Sequence, residues 1–183
     1  MAPGNYVRTG VATAYPHPNQ FFYAKIQKGG PVYVNTDIRL GGMGGECYRN
    51  YLVAPFASHH EKMWQVVTDS ALLLREEVRP GAVCSEIAYK VHALQLRNGM
   101  QDHIYHRPCH GQGQFYSGHQ PPFIALGDDT VLEPGMMFSV EPGLYDSERG
   151  IGVNPSDILL VHGQGSVFLS SVPFSREWAF LTL

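Results

Sequence analysis

Residues 127–145 read GDDTVLEPGMMFSVEPGLY, an apolar run set between two Glu-Pro-Gly turns and closed by the carboxylate of Glu141. The run from Met136 to Glu141 has the length and the bounding turns of a buried β-strand. A carboxylate that ends such a strand has two readings. It is a turn residue open to water, or it is drawn inward and paired with a cation, because desolvating it alone costs several kcal/mol.

Toward the N-terminus the next chemistry-bearing stretch is His110-Gly-Gln-Gly, followed by Gly118-His119-Gln120-Pro121-Pro122. Two histidines among glycines are either solvated loop residues or a pair offering one nitrogen to a metal and another to a substrate. Before this stretch, periodicity predicts two helices. The first begins at Ser58 with Glu61 in capping-box register and carries an apolar stripe of Met63, Trp64, Val67, Ala71, Leu74 and Val78; Arg79-Pro80-Gly81 stops it. Ser85 caps the second, which buries Ile87, Ala88, Val91 and Leu94 and ends at Asn98-Gly99.

Earlier still, Val32 to Leu40 and Glu46 to Val53 alternate on either side of a GGMGG turn, the pattern of a β-hairpin. Its Asn35, Asp37 and Glu46 either form a solvated edge or bring oxygens to a shared cation. Residues 1–30 are rich in Gly, Pro and aromatics and show no clear period. Toward the C-terminus, strands are expected over Asp157 to His162 and Ser166 to Val172. Asp157, in Gly152-Val-Asn154-Pro-Ser156-Asp157, is a ligand or a turn residue. Hairpin, two helices, then strands predicts one α+β domain over residues 1–183, with helices on one side of a curved antiparallel sheet.

Composition narrows the function. With 44% hydrophobic and 16% charged residues the chain is globular. A net charge of −3 and the lack of a basic stripe argue against nucleic-acid or anionic-membrane binding. The start MAPGNYVRTG has no apolar signal core, and no stretch is long enough to span a bilayer. Cys47, Cys84 and Cys109 form no even framework and no CxxC pair, which fits a reducing, cytoplasmic setting.

Taken together, HGQG…GHQPP, LEPGMMFSVEPGLY and a hairpin ending in Tyr48-Arg49-Asn50-Tyr51 resemble the creatinase/aminopeptidase P/methionine aminopeptidase family, whose members carry GHGIG…HEPP, LEPGM…(S/T)xEPGxY and DxG…GYxxDxTRTF. The likeness runs from about Tyr15 to Val161. It implies the pita-bread fold, a curved antiparallel sheet wrapped by helices. It also implies a site of two Asp, one His and two Glu holding two divalent metals, with further histidines for substrate and leaving group. In these terms His110 matches the metal-binding histidine, Glu141 the first metal-binding glutamate and His119 the substrate-facing histidine, while Tyr15-Pro16-His17 resembles the segment that brings another histidine to the substrate.

The departures decide what such a site can hold. Glu46 stands at the second Asp position, and Asn35, eleven residues earlier, at the first. Asp37 lies two residues on, on the same strand face, as a substitute. Ser156 stands at the last Glu position, beside Asp157. Two dications held together need bridging carboxylates to offset their charge. The expected ligand set is therefore Asp37, Glu46, His110 and Glu141 around one divalent ion (Mn, Fe, Co or Zn), or no metal at all; His17, His110, His119 and Glu141 are the candidate catalytic residues.

The implied activity is a hydrolase cleaving a C–N bond in a peptide or a small non-peptide amide, either Xaa-Pro aminopeptidase-like or creatinase-like. A metal-independent lyase or isomerase on the same cleft and a non-catalytic binding module are the alternatives. Family domains usually carry helices before the first hairpin, which this sequence lacks, so a partial domain is expected. An exposed sheet edge favours a homodimer.

Overall fold

The computed structural model describes residues 5–16, 24–114 and 119–182. Strand β1 (Tyr6–Thr9) leads through a 3-10 turn at 10–14 to a long hairpin, β2 (Pro31–Leu40) and β3 (Met43–Val53). Helices α1 (Ser58–Glu77) and α2 (Cys84–Arg97) follow, then a 3-10 turn at 101–103 and seven short strands. These are β4 (Cys109–Gly111), β5 (Gln120–Ile124), β6 (Met137–Val140), β7 (Leu144–Asp146), β8 (Ile151–Val153), β9 (Ile158–His162) and β10 (Gly165–Phe168). A one-turn helix α3 (Arg176–Ala179) and β11 (Phe180–Leu181) close the described chain.

The strands form a four-stranded sheet, β1-β2-β3-β11, a five-stranded sheet, β10-β9-β6-β4-β5, and the β7–β8 pair. An isolated antiparallel bridge between Tyr48 and Ser156 joins the two larger sheets, with Tyr48 N donating to Ser156 O at 2.9 Å and Ser156 N to Tyr48 O at 3.1 Å. Gly44 N adds a second stitch to Gly113 O at 3.0 Å.

The hairpin turns more tightly than its GGMGG sequence predicts. Only Gly41 and Gly42 form the loop, both in the left-handed region with φ of 57° and 85°, as a two-residue type I′ turn requires. Met43 to Gly45 continue the strand.

Strand alternation sorts the second sheet into two faces. Phe138 and Val140 of β6 and Leu159 and Val161 of β9 join Leu74, Ile87, Ala88 and Val91 of the helices in one buried cluster. Ser139, Glu141 and His110 are therefore sent to the opposite face, where the hairpin lies. Burying a Leu or Phe side chain stabilises the fold by about 1.5–3 kcal/mol, so Leu74 and Phe138, both fully buried, anchor the helices to the sheet.

Both helices lie where periodicity places them, but neither cap forms. Ser58 is the first helical residue after Ala57, with no side-chain cap, and Glu61 pairs instead with Arg176. Cys84 opens α2, its N–H and that of Ser85 are taken by the carbonyls of Thr130 and Asp128, and the Ser85 hydroxyl donates to Asp129 at 2.9 Å. Tertiary carbonyls do what the Ser85 side chain was expected to do. Among the described residues, no helix is long and apolar enough to cross a membrane.

Candidate active site

The two sheets meet over three side chains. β4 delivers His110, the end of β6 delivers Glu141, and β3 delivers Glu46 from the facing sheet. His110 and Ser139 are cross-strand partners. Gly111 follows because β5 passes so close there that a Cβ would lie 2.5 Å from the Gln120 carbonyl oxygen.

His110 Nε2 lies 3.4 Å from Glu141 Oε2 and 3.5 Å from Glu46 Oε1, is buried, and makes no hydrogen bond of good geometry among the described residues. His119 stacks on the His110 ring, centroids 3.9 Å apart at 22°, and His110, His119 and Glu141 each offer a donor atom within 4.8 Å of the others. Asn154 Nδ2 reaches Glu141 Oε1 at 3.4 Å. Burial alone would lower the His110 pKa, but the two carboxylates outweigh it and push it up to about 10. Glu141 is opposed by burial yet held down to about 2 by the adjacent His110 and its charge. Glu46 moves up, through burial first and the Glu141 charge second.

Glu46 is the most heavily coordinated of the three. Its Oε1 accepts from Ser139 and, at 3.3 Å, from Ser156; the two serine hydroxyls are 2.7 Å apart. Its Oε2 accepts from the Tyr48 hydroxyl at 2.5 Å, and that hydroxyl also lies 2.8 Å from Asp37 Oδ1. Asp37 is directly across from Glu46 in the hairpin.

Of the expected ligands, Glu46, His110 and Glu141 thus converge, while Asp37 stands behind them, one hydroxyl away. His17 lies outside the described residues. Asp157 is not turned to this site: its carboxylate pairs with Arg49 at 2.6 Å, both buried. Tyr48, Ser139 and Asn154 were missed as site residues. Tyr48 was readable, since it follows Glu46 by two on one strand face and sits opposite Asn35.

The fit to a divalent ion follows from the donors. Donors bound at about 2.0–2.2 Å around one ion stand roughly 3.0–3.5 Å apart, the spacing that His110 Nε2 keeps to Glu141 Oε2 and to Glu46 Oε1, and the buried Nε2 is where such an ion would bind. A pair of ions does not fit. Asn35 and Ser156, both buried, bring no charge to offset a second dication.

A cleft of about 320 Å³ opens onto His110, His119, Glu141 and Asn154. Tyr105, His106 and Tyr145 line it as well, with His106 Nε2 3.1 Å from the Tyr145 hydroxyl and the two tyrosine rings edge-on at 5.9 Å.

This is the pita-bread architecture, and the sequence places it: residues 1–163 match the model of metallopeptidase family M24, to which the chain belongs. The "Probable dipeptidase PepE" of Mycobacterium tuberculosis is 28% identical over 168 residues, 91% of this chain and 44% of that protein. The Xaa-Pro dipeptidase of Pyrococcus furiosus is 24% identical over 160 residues, 87% of this chain and 45% of its own length. The crystal structure of dipeptidase PepE from Mycobacterium ulcerans superimposes with a TM-score of 0.88 at 24% identity, over 98% of this chain and 47% of that one. The chain spans a little under half the length of the curated relatives it matches.

Proposed function

We propose that this chain carries the active site of a hydrolase that cleaves a short peptide, an Xaa-Pro dipeptide in the first instance, with one divalent ion held by Glu46, His110 and Glu141. The observation that carries this reading is the buried His110 Nε2, set between two carboxylates at the floor of a cleft. The cleft volume of about 320 Å³ is at the small end of ligand sites, which suits a dipeptide. A bound ion supplies Lewis acidity toward the scissile carbonyl and a more acidic water. Glu141 accepts the proton of the attacking water, oriented by Asn154. His119, stacked on His110 at the cleft, stabilises the oxyanion or protonates the leaving nitrogen. The expected second helper, His17, belongs to the same proposal.

One observation favours a second reading. Three hydroxyls, those of Tyr48, Ser139 and Ser156, already satisfy Glu46 without a cation. His110 would then be a metal-independent acid and base on a small metabolite, steered by Glu141. Elemental analysis of protein purified without chelator, paired with Glu141→Ala and an Xaa-Pro dipeptide assay, separates the two. About one ion per chain, lost in the variant together with proline release, supports the hydrolase. No metal in either protein and no proline release sinks it.

A further inference from the structure

A second constellation lies outside the cleft. His59 near the start of α1, His103 in the 3-10 turn and Asp146 at the end of β7 converge, with His59 Nε2 3.0 Å and His103 Nε2 3.7 Å from Asp146 Oδ2. One donor atom of each lies within 4.8 Å of the other two. The imidazoles meet edge-on, centroids 5.9 Å apart, and Asp146 is only 3% exposed.

Charge pairing does not account for this arrangement. Arg149 already supplies Asp146 with a guanidinium N–H on Oδ2 at 2.8 Å and a backbone N–H on Oδ1 at 2.9 Å. The two histidines are surplus to that need. Among the described residues His59 Nε2, itself buried, makes no hydrogen bond of good geometry, although it lies within hydrogen-bonding distance of the carboxylate.

We propose that His59, His103 and Asp146 form a second metal site, for a single divalent transition ion of the Zn²⁺ class. Two imidazoles and one carboxylate are a donor set such ions accept readily, with a solvent molecule completing the shell. His59 and Asp146 already stand at the donor spacing of about 3.0–3.5 Å that one ion requires, and His103, 3.7 Å from Asp146 Oδ2 and with a donor atom within 4.8 Å of both, closes in on binding. Arg149 is the competitor for Oδ2. Its side chain is 58% exposed, so an arriving ion turns it out to solvent while its backbone N–H keeps Oδ1 in place.

The site is distinct from the cleft because successive side chains of β7 point to opposite faces: Tyr145 lines the cleft and Asp146 meets the histidines. An ion there ties α1, the turn at 101–103 and β7 together behind the Tyr105–Tyr145 wall.

The test is calorimetric titration of Zn²⁺ into the full chain carrying His110→Ala and Glu141→Ala, which disables the cleft donors. One ion per chain is expected, with a melting temperature raised by about 5 °C or more at a hundredfold excess over Kd. Adding His59→Ala or His103→Ala weakens binding tenfold or more. Arg149→Ala tightens it, which a purely structural ion-pair cluster would not show. Absence of zinc binding, or binding indifferent to both histidines, overturns the proposal. Should the double variant fail to fold, His103→Gln in the otherwise unchanged chain is the substitute: loss of one binding event is expected, and unchanged stoichiometry overturns it.

Discussion

Asp37 and Glu46 face each other across the β2–β3 hairpin and share one phenol, the Tyr48 hydroxyl, at 2.8 Å and 2.5 Å. A phenol has one proton and donates to one carboxylate at a time. The pair is held together by a donor that cannot serve both, so either a further proton or a cation completes it. Tyr48→Phe removes the shared donor and leaves two half-buried acids. It is expected to destabilise the fold by about 1–3 kcal/mol, read as a lower urea midpoint at unchanged m value. An unchanged midpoint would show that the hydroxyl does not hold the carboxylates.

Arg49 and Asp157 make a buried ion pair at 2.6 Å, and the guanidinium also donates to the carbonyls of Tyr48, Ser156 and Val172. Removing one partner strands a buried charge. Arg49→Met should cost about 3–5 kcal/mol. The double variant Arg49→Met/Asp157→Leu should recover part of that loss, and a double-mutant cycle by chemical denaturation measures the coupling.

Asn35 and Ser156 are the neutral residues that limit the proposed centre to one ion. Asn35→Asp with Ser156→Glu is expected to raise bound divalent metal from one to two per chain by elemental analysis. Because Ser156 is fully buried, the longer side chain displaces the Ser139–Glu46 hydrogen bonding, so circular dichroism accompanies the measurement. A folded variant that still binds one ion would locate the limit elsewhere, in the Tyr48 hydrogen bond to Glu46.

Asp128 organises the turn before Leu132, accepting from Phe123 N at 2.7 Å and Thr130 N at 3.0 Å. Burial raises its pKa, but the Thr130 side chain and these two N–H groups win and hold it below the usual carboxylate range. A depressed folded pKa gives stability that is present above the unfolded value, about 3.9, and lost as pH falls through the folded one. Asp128→Asn should therefore be less stable than the parent at pH 7, with the gap narrowing as the pH drops below about 4. Thermal melts across that range check the sign.

Long, strongly periodic segments were legible. The hairpin, both helices and the strands around Phe138 and Leu159 follow from alternation or from i, i+3, i+4 spacing, which burial on one face enforces. β4 and β5 were not. Cys109–Gly111 is three residues long, and Gln120–Ile124 contains Pro121 and Pro122, so both read as loop. Only pairing with β6 makes strands of them. The site divides in the same way. His110 and Glu141 lie in local motifs, whereas Glu46 was reached through the resemblance, by counting back from Arg49. The serine pair around Glu46 and the His59–His103–Asp146 cluster were not readable, because partners up to 110 residues apart in sequence meet only once the sheets close.

The bridge between Tyr48 and Ser156 has a consequence for how the molecule reaches its native state. The groups it draws together come from opposite ends of the chain, and contacts of such sequence separation form late because loop closure must precede them. α1 and α2, held by local spacing, can recover their helicity well before that closure. In a refolding experiment the far-ultraviolet signal should therefore return ahead of any property of the cleft, so the cleft itself reports when the last pieces have docked.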